Sequence, residues 1–146
     1  YGTRALMALR LEKNWGAWAL DFRPDFTAAE SGLDIFINWN KDFIGKESSL
    51  IEKKQGVKKK LVTMIIDTKD IDVTNDEAIL KDNKCIGYIT SGGYAHHVKK
   101  SMALGYVPEK FSKHETALNV EINGKLYSAH VTDRPLYDAN GEKMRA

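Results

Sequence analysis

The Asn-Gly pair at positions 123 and 124 limits the fold more than any other sequence feature. Leu118 and Val120 alternate with polar residues ahead of it, which is the period of a strand with one buried face. A type I′ turn needs positive φ at both central residues, and Asn-Gly is the pair that most readily provides it. The pattern predicts a two-residue hairpin in which Val120 lies opposite Tyr127 and Leu118 lies opposite Ala129.

Other short apolar runs after Gly56 predict further strands. Residues 78–80 and 85–90 flank Asp82-Asn83, which indicates a second hairpin. The run 60–67 is rich in β-branched residues, whereas 67–76 is acidic and typical of a loop. With 101–107, these runs give about six short strands, and such a set suits a small antiparallel Greek-key β-barrel.

The segment Ser91-Gly92-Gly93 predicts a tight turn at the barrel edge, between a buried strand and the apolar run 101–107. It does not fit a catalytic or phosphate-binding motif. A nucleophile elbow needs Gly-x-Ser-x-Gly, and Ile89 occupies the first glycine position. A phosphate-binding loop needs more glycines and a following Lys-Ser or Lys-Thr.

The residue pattern of the N-terminal third differs from that of the rest of the chain and predicts helices. Residues 3–12 place Ala, Leu and Met at helical spacing, and 45–55 read as a surface helix that ends at Gly56. Thr27 and Glu30 have the spacing of a capping box. We place a boundary within 50–58 and divide the chain into 1–54 and 55–146. The fold class is therefore α+β, with the barrel as its second unit.

The composition excludes several classes of function. Apolar residues make up 42% of the chain and charged residues 29%, as in globular proteins. The net charge of +2 is too small to argue for a nucleic-acid partner, and no apolar run approaches the ~20 residues of a membrane span. Cys85 is the single cysteine, which favours a reducing compartment. His96 and His97 are adjacent, so on a strand they would face opposite ways, and we expect no metal site.

Lys53, Lys54 and Lys58–Lys60 form the one basic cluster. Such a cluster attracts polyanions, including nucleic acid or an anionic ligand tail. It also commonly serves as a solvated segment that protects a strand edge from aggregation. No aromatic residues are interleaved with these lysines, which favours a solvated segment over a polyanion-binding site.

Several motifs follow one another in an order that resembles the C-terminal part of a known superfamily. The matching stretches are Leu-Arg-Leu-Glu-Lys at 9–13 with Trp15-Gly16, Thr-Ala-Ala-Glu-Ser-Gly-Leu at 27–33, Lys-Asp-Phe-Ile-Gly-Lys at 41–46, Gly-Tyr-Ile-Thr-Ser-Gly-Gly-Tyr at 87–94, Ser-Met-Ala-Leu-Gly-Tyr-Val at 101–107, and Arg-Pro-Leu-Tyr-Asp at 134–138. They resemble the aminomethyltransferase superfamily, which includes the glycine-cleavage T-protein and the folate-binding part of dimethylglycine and sarcosine dehydrogenases. The resemblance implies the tail of an α+β folate-binding domain followed by the barrel.

This resemblance implies a reaction for the intact protein. It would pass a one-carbon unit from an N-methyl or aminomethyl donor to tetrahydrofolate, forming 5,10-methylenetetrahydrofolate. The motifs are nearer to the dimethylglycine and sarcosine dehydrogenase branch, in which FAD, bound outside this chain, first oxidises the amine.

One alternative is a T-protein that acts on a lipoyl-carried aminomethyl group. A second is a scaffold domain without a catalytic role. The implied location is the cytoplasm, or the mitochondrial matrix in a eukaryote.

The resemblance also assigns candidate cofactor-binding residues. Arg10 matches the family arginine at the folate site, and a guanidinium offers planar paired donors to a glutamate tail or pterin. Glu12 belongs to the same motif. Ile35 stands near a position where relatives carry an aromatic residue against the pterin, so stacking from that position is in doubt. Ala28 is a further departure, because proline is usual there.

We expect no catalytic residue in this chain, because the family's catalytic acid lies in the preceding half of the folate domain. That half is the expected partner, together with a small-molecule amine donor. The first residue is Tyr1 and a helix follows at once, which suggests a fragment of a longer protein. Without the preceding half, apolar surface would be exposed, and we expect the chain to self-associate.

Overall fold

The computed structural model describes residues 2–146, apart from the side chain at position 144. Six strands and three helices are defined: α1 (Thr3–Glu12), α2 (Lys46–Gln55), β1 (Lys59–Ile66), β2 (Ala78–Lys81), β3 (Lys84–Ala95), β4 (Lys100–Pro108), β5 (Ala117–Ile122), β6 (Lys125–Thr132) and α3 (Glu142–Arg145). Short 3₁₀ turns lie at Asp34–Phe36 and Glu109–Phe111. None of the helices in residues 2–146 combines the length and the apolar character needed to cross a bilayer.

The six strands close into one antiparallel barrel in the order β1-β4-β3-β2-β5-β6. Strands β2, β3 and β4 form a meander, and β5 returns to lie beside β2, which is the Greek-key arrangement. Closure leaves no free sheet edge, so the barrel avoids the aggregation hazard of exposed strand edges. The predicted fold class, α+β with a small antiparallel Greek-key β-barrel, is confirmed.

Both hairpins predicted from turn residues are present. Val120 pairs with Tyr127 and Leu118 pairs with Ala129, in the predicted register. Asn123 and Gly124 have φ of 49° and 75°, as a type I′ turn requires. The Asp82-Asn83 pair joins β2 to β3 with φ of 51° and 60°.

The prediction of a turn at Gly92-Gly93 is wrong. Both glycines lie inside β3, paired with Ala103 and Met102, and the chain turns after β3, at residues 96–99. His96 and His97 therefore lie in that turn and not on a strand. Gly92 is needed for a close approach, since a Cβ there would lie 2.7 Å from Val73 Cγ1 and 2.9 Å from the Val73 carbonyl oxygen. In the sequence alone, a glycine that is needed for close packing inside a strand looks the same as a glycine that is needed in a turn.

The core has two parts. The larger fills the barrel and includes Met64, Ile79, Ile89 and Val120, all fully buried. The smaller lies where α1 packs on the outside of β3 and β4, and consists of Leu11, Ala95, Met102 and Leu104. Helix α1 is thus attached to the barrel wall, although it precedes β1 by many residues. The division of the chain into 1–54 and 55–146 stays a prediction.

Gly87 gives a direct test of the barrel packing. A Cβ at this position would overlap the backbone carbonyl oxygen of Tyr106, an atom that cannot move without shifting β4. We expect Gly87→Ala to lower the free energy of unfolding by about 3 kcal/mol, the upper range for overpacking. Gly2→Ala is the matched control, because its Cβ meets no atom within 4 Å, and we expect a loss below about 1 kcal/mol. Equal losses in urea unfolding would contradict the packing described here.

Candidate functional site

Arg10 lies in the last turn of α1, and its guanidinium is buried beneath the segment that follows the helix. Its Nη1 donates to Asp21 Oδ2 at 2.8 Å and to the Trp15 carbonyl oxygen at 3.1 Å. Its Nε and Nη2 have no hydrogen-bond partner among the described residues. Burial lowers the pKa of Arg10, whereas the charge of Asp21 and its hydrogen bond raise it.

Asp21 is the centre of this cluster, and its side chain is fully buried. Beyond Arg10, its carboxylate accepts hydrogen bonds from the Ala17 amide at 2.7 Å, from Ser91 Oγ at 2.7 Å and from Thr90 Oγ1. A buried carboxylate is tolerated only when it is paired and hydrogen-bonded, and every one of these donors contributes to that. The arrangement joins the end of α1, the segment after it and strand β3. The only sequence signal for Asp21 is an acid placed between the apolar residues Leu20 and Phe22, and it gives no indication of the distant partners.

Tyr106 of β4 extends the same cluster. Its hydroxyl donates to the Asp21 carbonyl oxygen at 3.0 Å and lies 2.8 Å from Ser31 Oγ, while its ring stacks on Phe26 at 3.4 Å between centroids. Burial raises the pKa of Tyr106 to about 12; the hydrogen bond with Ser31 opposes this change, and the charge of Asp21 adds to it. The phenol is therefore neutral at ordinary pH and acts as a hydrogen-bonding tie between the barrel and the segment 21–31.

Glu12, two residues after Arg10, is buried but turned to other partners. Its Oε1 accepts a hydrogen bond from the His97 amide at 2.7 Å, and its carbonyl oxygen accepts one from the Tyr137 amide at 3.1 Å. The His97 and Tyr137 rings meet edge to face, with centroids 4.2 Å apart. Glu12 thus fixes the β3–β4 turn and the C-terminal segment against the end of α1.

Ile35 lies in the short 3₁₀ turn and is 77% exposed. It lines a cavity of about 560 Å³ between the segment 27–39 and α2. Trp39 and Lys53 also line it, and the Lys53 Nζ lies 4.5 Å from the centroid of the Trp39 ring. Neither Arg10 nor Glu12 lines this cavity, so the structure does not bring the three predicted residues into one pocket. Their assignment to cofactor binding stays a prediction.

An exposed aromatic surface lies beside the buried cluster. Trp15 and Trp18 each meet Phe22 edge to face, and Trp15 meets Phe36 in the same way. Trp18 is 79% exposed. The loop built on Asp21 therefore presents large apolar side chains outward, and such surfaces are usually covered by another part of a protein. Within the described residues, no group of His, Cys, Asp or Glu side chains is arranged to hold a metal ion.

The closed Greek-key barrel with a helix packed on its wall defines the class: a small barrel domain that carries an ordered N-terminal segment. Residues 59–138, more than half of the chain, match the family model described as "Glycine cleavage T-protein C-terminal barrel domain". The chain belongs to this family. The superfamily predicted from the sequence motifs is thereby confirmed.

Relatives and a solved structure agree with this assignment. The chain is 40% identical over 138 residues to the mitochondrial dimethylglycine dehydrogenase of Homo sapiens, covering 93% of the chain and 16% of the relative. It is 36% identical over 141 residues to an aminomethyltransferase of Picosynechococcus sp., covering 95% and 39%. The crystal structure of the glycine cleavage system aminomethyltransferase T from Bartonella henselae superposes with a TM-score of 0.84 at 25% identity, covering 92% and 38%. The chain thus spans well under half of the length of each.

The buried Arg10–Asp21 pair can be tested against an exposed pair of the same kind. Arg23 and Asp25 also approach to 2.8 Å, but the Asp25 side chain is 63% exposed. We expect Asp21→Asn to lower the free energy of unfolding by about 3–5 kcal/mol, because it leaves the Arg10 charge buried without a counter-charge. Asp25→Asn, the matched control, should cost less than about 1 kcal/mol. Similar losses for the two variants in denaturant unfolding would show that the Asp21 network does not hold the loop.

Proposed function

We propose that this chain is the C-terminal part of a tetrahydrofolate-dependent, aminomethyltransferase-like protein of the dimethylglycine and sarcosine dehydrogenase branch. The intact protein would transfer a one-carbon unit from an N-methyl or aminomethyl donor to tetrahydrofolate. The observation that carries this proposal is the 40% identity to a dimethylglycine dehydrogenase across 93% of the chain, a share that extends well beyond the barrel.

The cavity beside Ile35 fits a folate-like ligand. Its volume of about 560 Å³ is within the range of small-molecule sites. Ile35 and Trp39 supply apolar and aromatic surface for a flat heterocycle, and Lys53 and Lys60 supply positive charge for an anionic tail. When bound, tetrahydrofolate supplies the nitrogen that accepts the one-carbon unit. The role of these residues would be to bind and orient it, which lowers the entropic cost of bringing the reactants together.

Arg10 and Glu12 would contribute to folate binding from buried positions that do not line the cavity beside Ile35. The two unpartnered nitrogens of Arg10 are the kind of buried donors for which a ligand oxygen is a natural acceptor. They are covered by other atoms of this chain, so a ligand would reach them only after a local displacement. The effect of Glu12 would be indirect: by holding the His97 amide, it positions the β3–β4 turn against α1.

The remaining components would lie outside this chain. FAD, which the dehydrogenase branch uses to oxidise the amine, and the catalytic acid would belong to preceding domains. The preceding half of the folate domain would cover the exposed apolar surface around Trp18, Ile35 and Phe36. Without that cover, we expect the chain to self-associate through this surface.

A T-protein that acts on a lipoyl-carried aminomethyl group is the second candidate. Its support is the family match and the likeness to the Bartonella aminomethyltransferase. A dinucleotide-binding Gly-x-Gly-x-x-Gly segment in the full-length protein would favour the dehydrogenase branch.

A scaffold domain with no catalytic role is a third candidate. Titration with tetrahydrofolate distinguishes it from the other two, because a scaffold would not bind folate.

Calorimetric titration of tetrahydrofolate into this chain and into the full-length protein tests the proposal. We expect binding by the full-length protein only, weakened about tenfold by Ile35→Ala because apolar contact is lost. Ile44→Ala is the matched control, since Ile44 is fully exposed and does not line the cavity; it should leave the affinity unchanged. Light scattering on the same two proteins should show self-association of the chain alone.

Two results would contradict the proposal. If neither protein binds tetrahydrofolate, the proposed folate-dependent reaction is wrong, and the chain is better described as a scaffold domain. Equal weakening by Ile35→Ala and Ile44→Ala would mean that the cavity beside Ile35 is not the site.

A further inference from the structure

The mouth of the barrel, at the end where β1 finishes and β4 begins, contains a second large cavity, of about 740 Å³. Three buried residues at one level of the barrel line its base: Ile66 pairs with Ser101 on one side and with Ala129 on the other. Ile66 and Ala129 belong to the main core. The cavity therefore adjoins the end of the main core, about three residues along β3 from Ser91 of the Asp21 cluster. Ligand sites commonly occupy barrel mouths.

Ser101 is the unusual residue of this cavity. It is 4% exposed, and its Oγ has no hydrogen-bond partner among the described residues. Buried hydroxyls in proteins nearly always have a partner, so an orphaned one that lines a cavity points to a ligand or an ordered water as its missing partner. Tyr94 pairs with Ser101 across β3 and β4 and also lines the cavity, where its ring meets that of His96 edge to face.

The charged groups that line the cavity are mainly positive. Lys69, Lys99 and Lys100 line it, against the single carboxylate of Asp67. No carboxylate of the described residues lies within 4.0 Å of any of these three ammonium groups. These three lysines are exposed around a concave, partly apolar surface, and such an arrangement attracts an anion because the walls focus the field into the opening.

The geometry points to a binding site for a small organic phosphate in the barrel mouth. Three lysines and no arginine line the cavity, and lysine binds phosphate as a point charge, whereas planar carboxylates are better matched by the arginine fork. Ser101 Oγ is covered by other atoms of the chain, and it would donate to a phosphate oxygen after a small local displacement at the base of the cavity. The volume exceeds that of a bare phosphate ion, and Ile65, Ile66 and the Tyr94 ring provide apolar surface for an organic group. This site is separate from the one proposed for folate and does not depend on it.

NMR titration of the chain with phenyl phosphate, at constant ionic strength, tests the site. We expect shifts concentrated at the amides of Tyr94, Lys100 and Ser101, and weaker binding of inorganic phosphate, which lacks the organic group. Lys100→Gln should weaken binding about tenfold and Ser101→Ala about fivefold, the range for charged and neutral hydrogen bonds. Lys125→Gln is the matched control: it removes the same charge from an exposed position in β6 that does not line the cavity, and should change the affinity less than twofold.

Several outcomes would overturn the proposal. They are the absence of localised shifts up to about 10 mM ligand, an affinity for inorganic phosphate equal to that for phenyl phosphate, and equal weakening by Lys100→Gln and Lys125→Gln, which would indicate unspecific attraction to the positive surface. Unchanged binding by Ser101→Ala would also overturn it. The dispersion of the amide spectrum shows for each variant that the barrel is still folded.

Discussion

The buried carboxylate of Asp21 is the interaction on which the N-terminal part of the structure depends. Its two oxygens receive hydrogen bonds from Arg10, from the Ala17 amide and from Thr90 and Ser91 of β3. Removing a carboxylate from water is costly, and only a nearly complete set of donors offsets that cost. Because those donors come from α1, from the segment after it and from the barrel, the carboxylate is satisfied only when all three are docked together.

This constraint determines how the rest of the N-terminal segment is laid over the barrel. The Tyr106 hydroxyl binds the Asp21 carbonyl oxygen and Ser31, so β4 is tied to the next stretch of the segment. Glu12 accepts a hydrogen bond from the His97 amide, just after the C-terminal end of β3, and so holds α1 to the barrel at a second point. The result is a polar base that supports an exposed aromatic surface around Trp18. A fixed support of this kind allows the surface to be presented in one conformation to whatever covers it.

Local chemistry made much of the barrel predictable from the sequence. The Asn123-Gly124 pair defines its own turn and therefore the register of β5 and β6, and the Thr27 and Glu30 capping box forms both of its reciprocal hydrogen bonds. Features that depend on distant residues were not predictable in the same way. Gly92 is required by Val73, which lies far from it in sequence, and Asp21 is required by Arg10, Thr90 and Ser91 together. The family resemblance indicated Arg10 but gave no sign of its partner.

Two regions of the barrel differ in their chemistry. The wall at β3 and β4 carries a neutralised ion pair beneath apolar side chains, whereas the mouth carries unpaired lysines above an orphaned hydroxyl. The proposed occupant of the first region is a preceding domain, and that of the second is a small anion. Asp21 makes no hydrogen bond to a residue that lines the mouth, so substitutions at Asp21 are expected to leave the mouth unchanged, whereas Glu12 holds the β3–β4 turn that carries Lys99.

Native-state hydrogen exchange at the Ala17 amide tests the central claim most directly. This amide lies outside every helix and strand, and its acceptor is Asp21 Oδ2 at 2.7 Å. If the Asp21 network holds the segment rigidly on β3, the Ala17 amide should exchange as slowly as the amides in the middle of β4, only through global unfolding. Exchange close to the unprotected rate at Ala17, with β4 still protected, would show that the segment opens independently and would contradict the account.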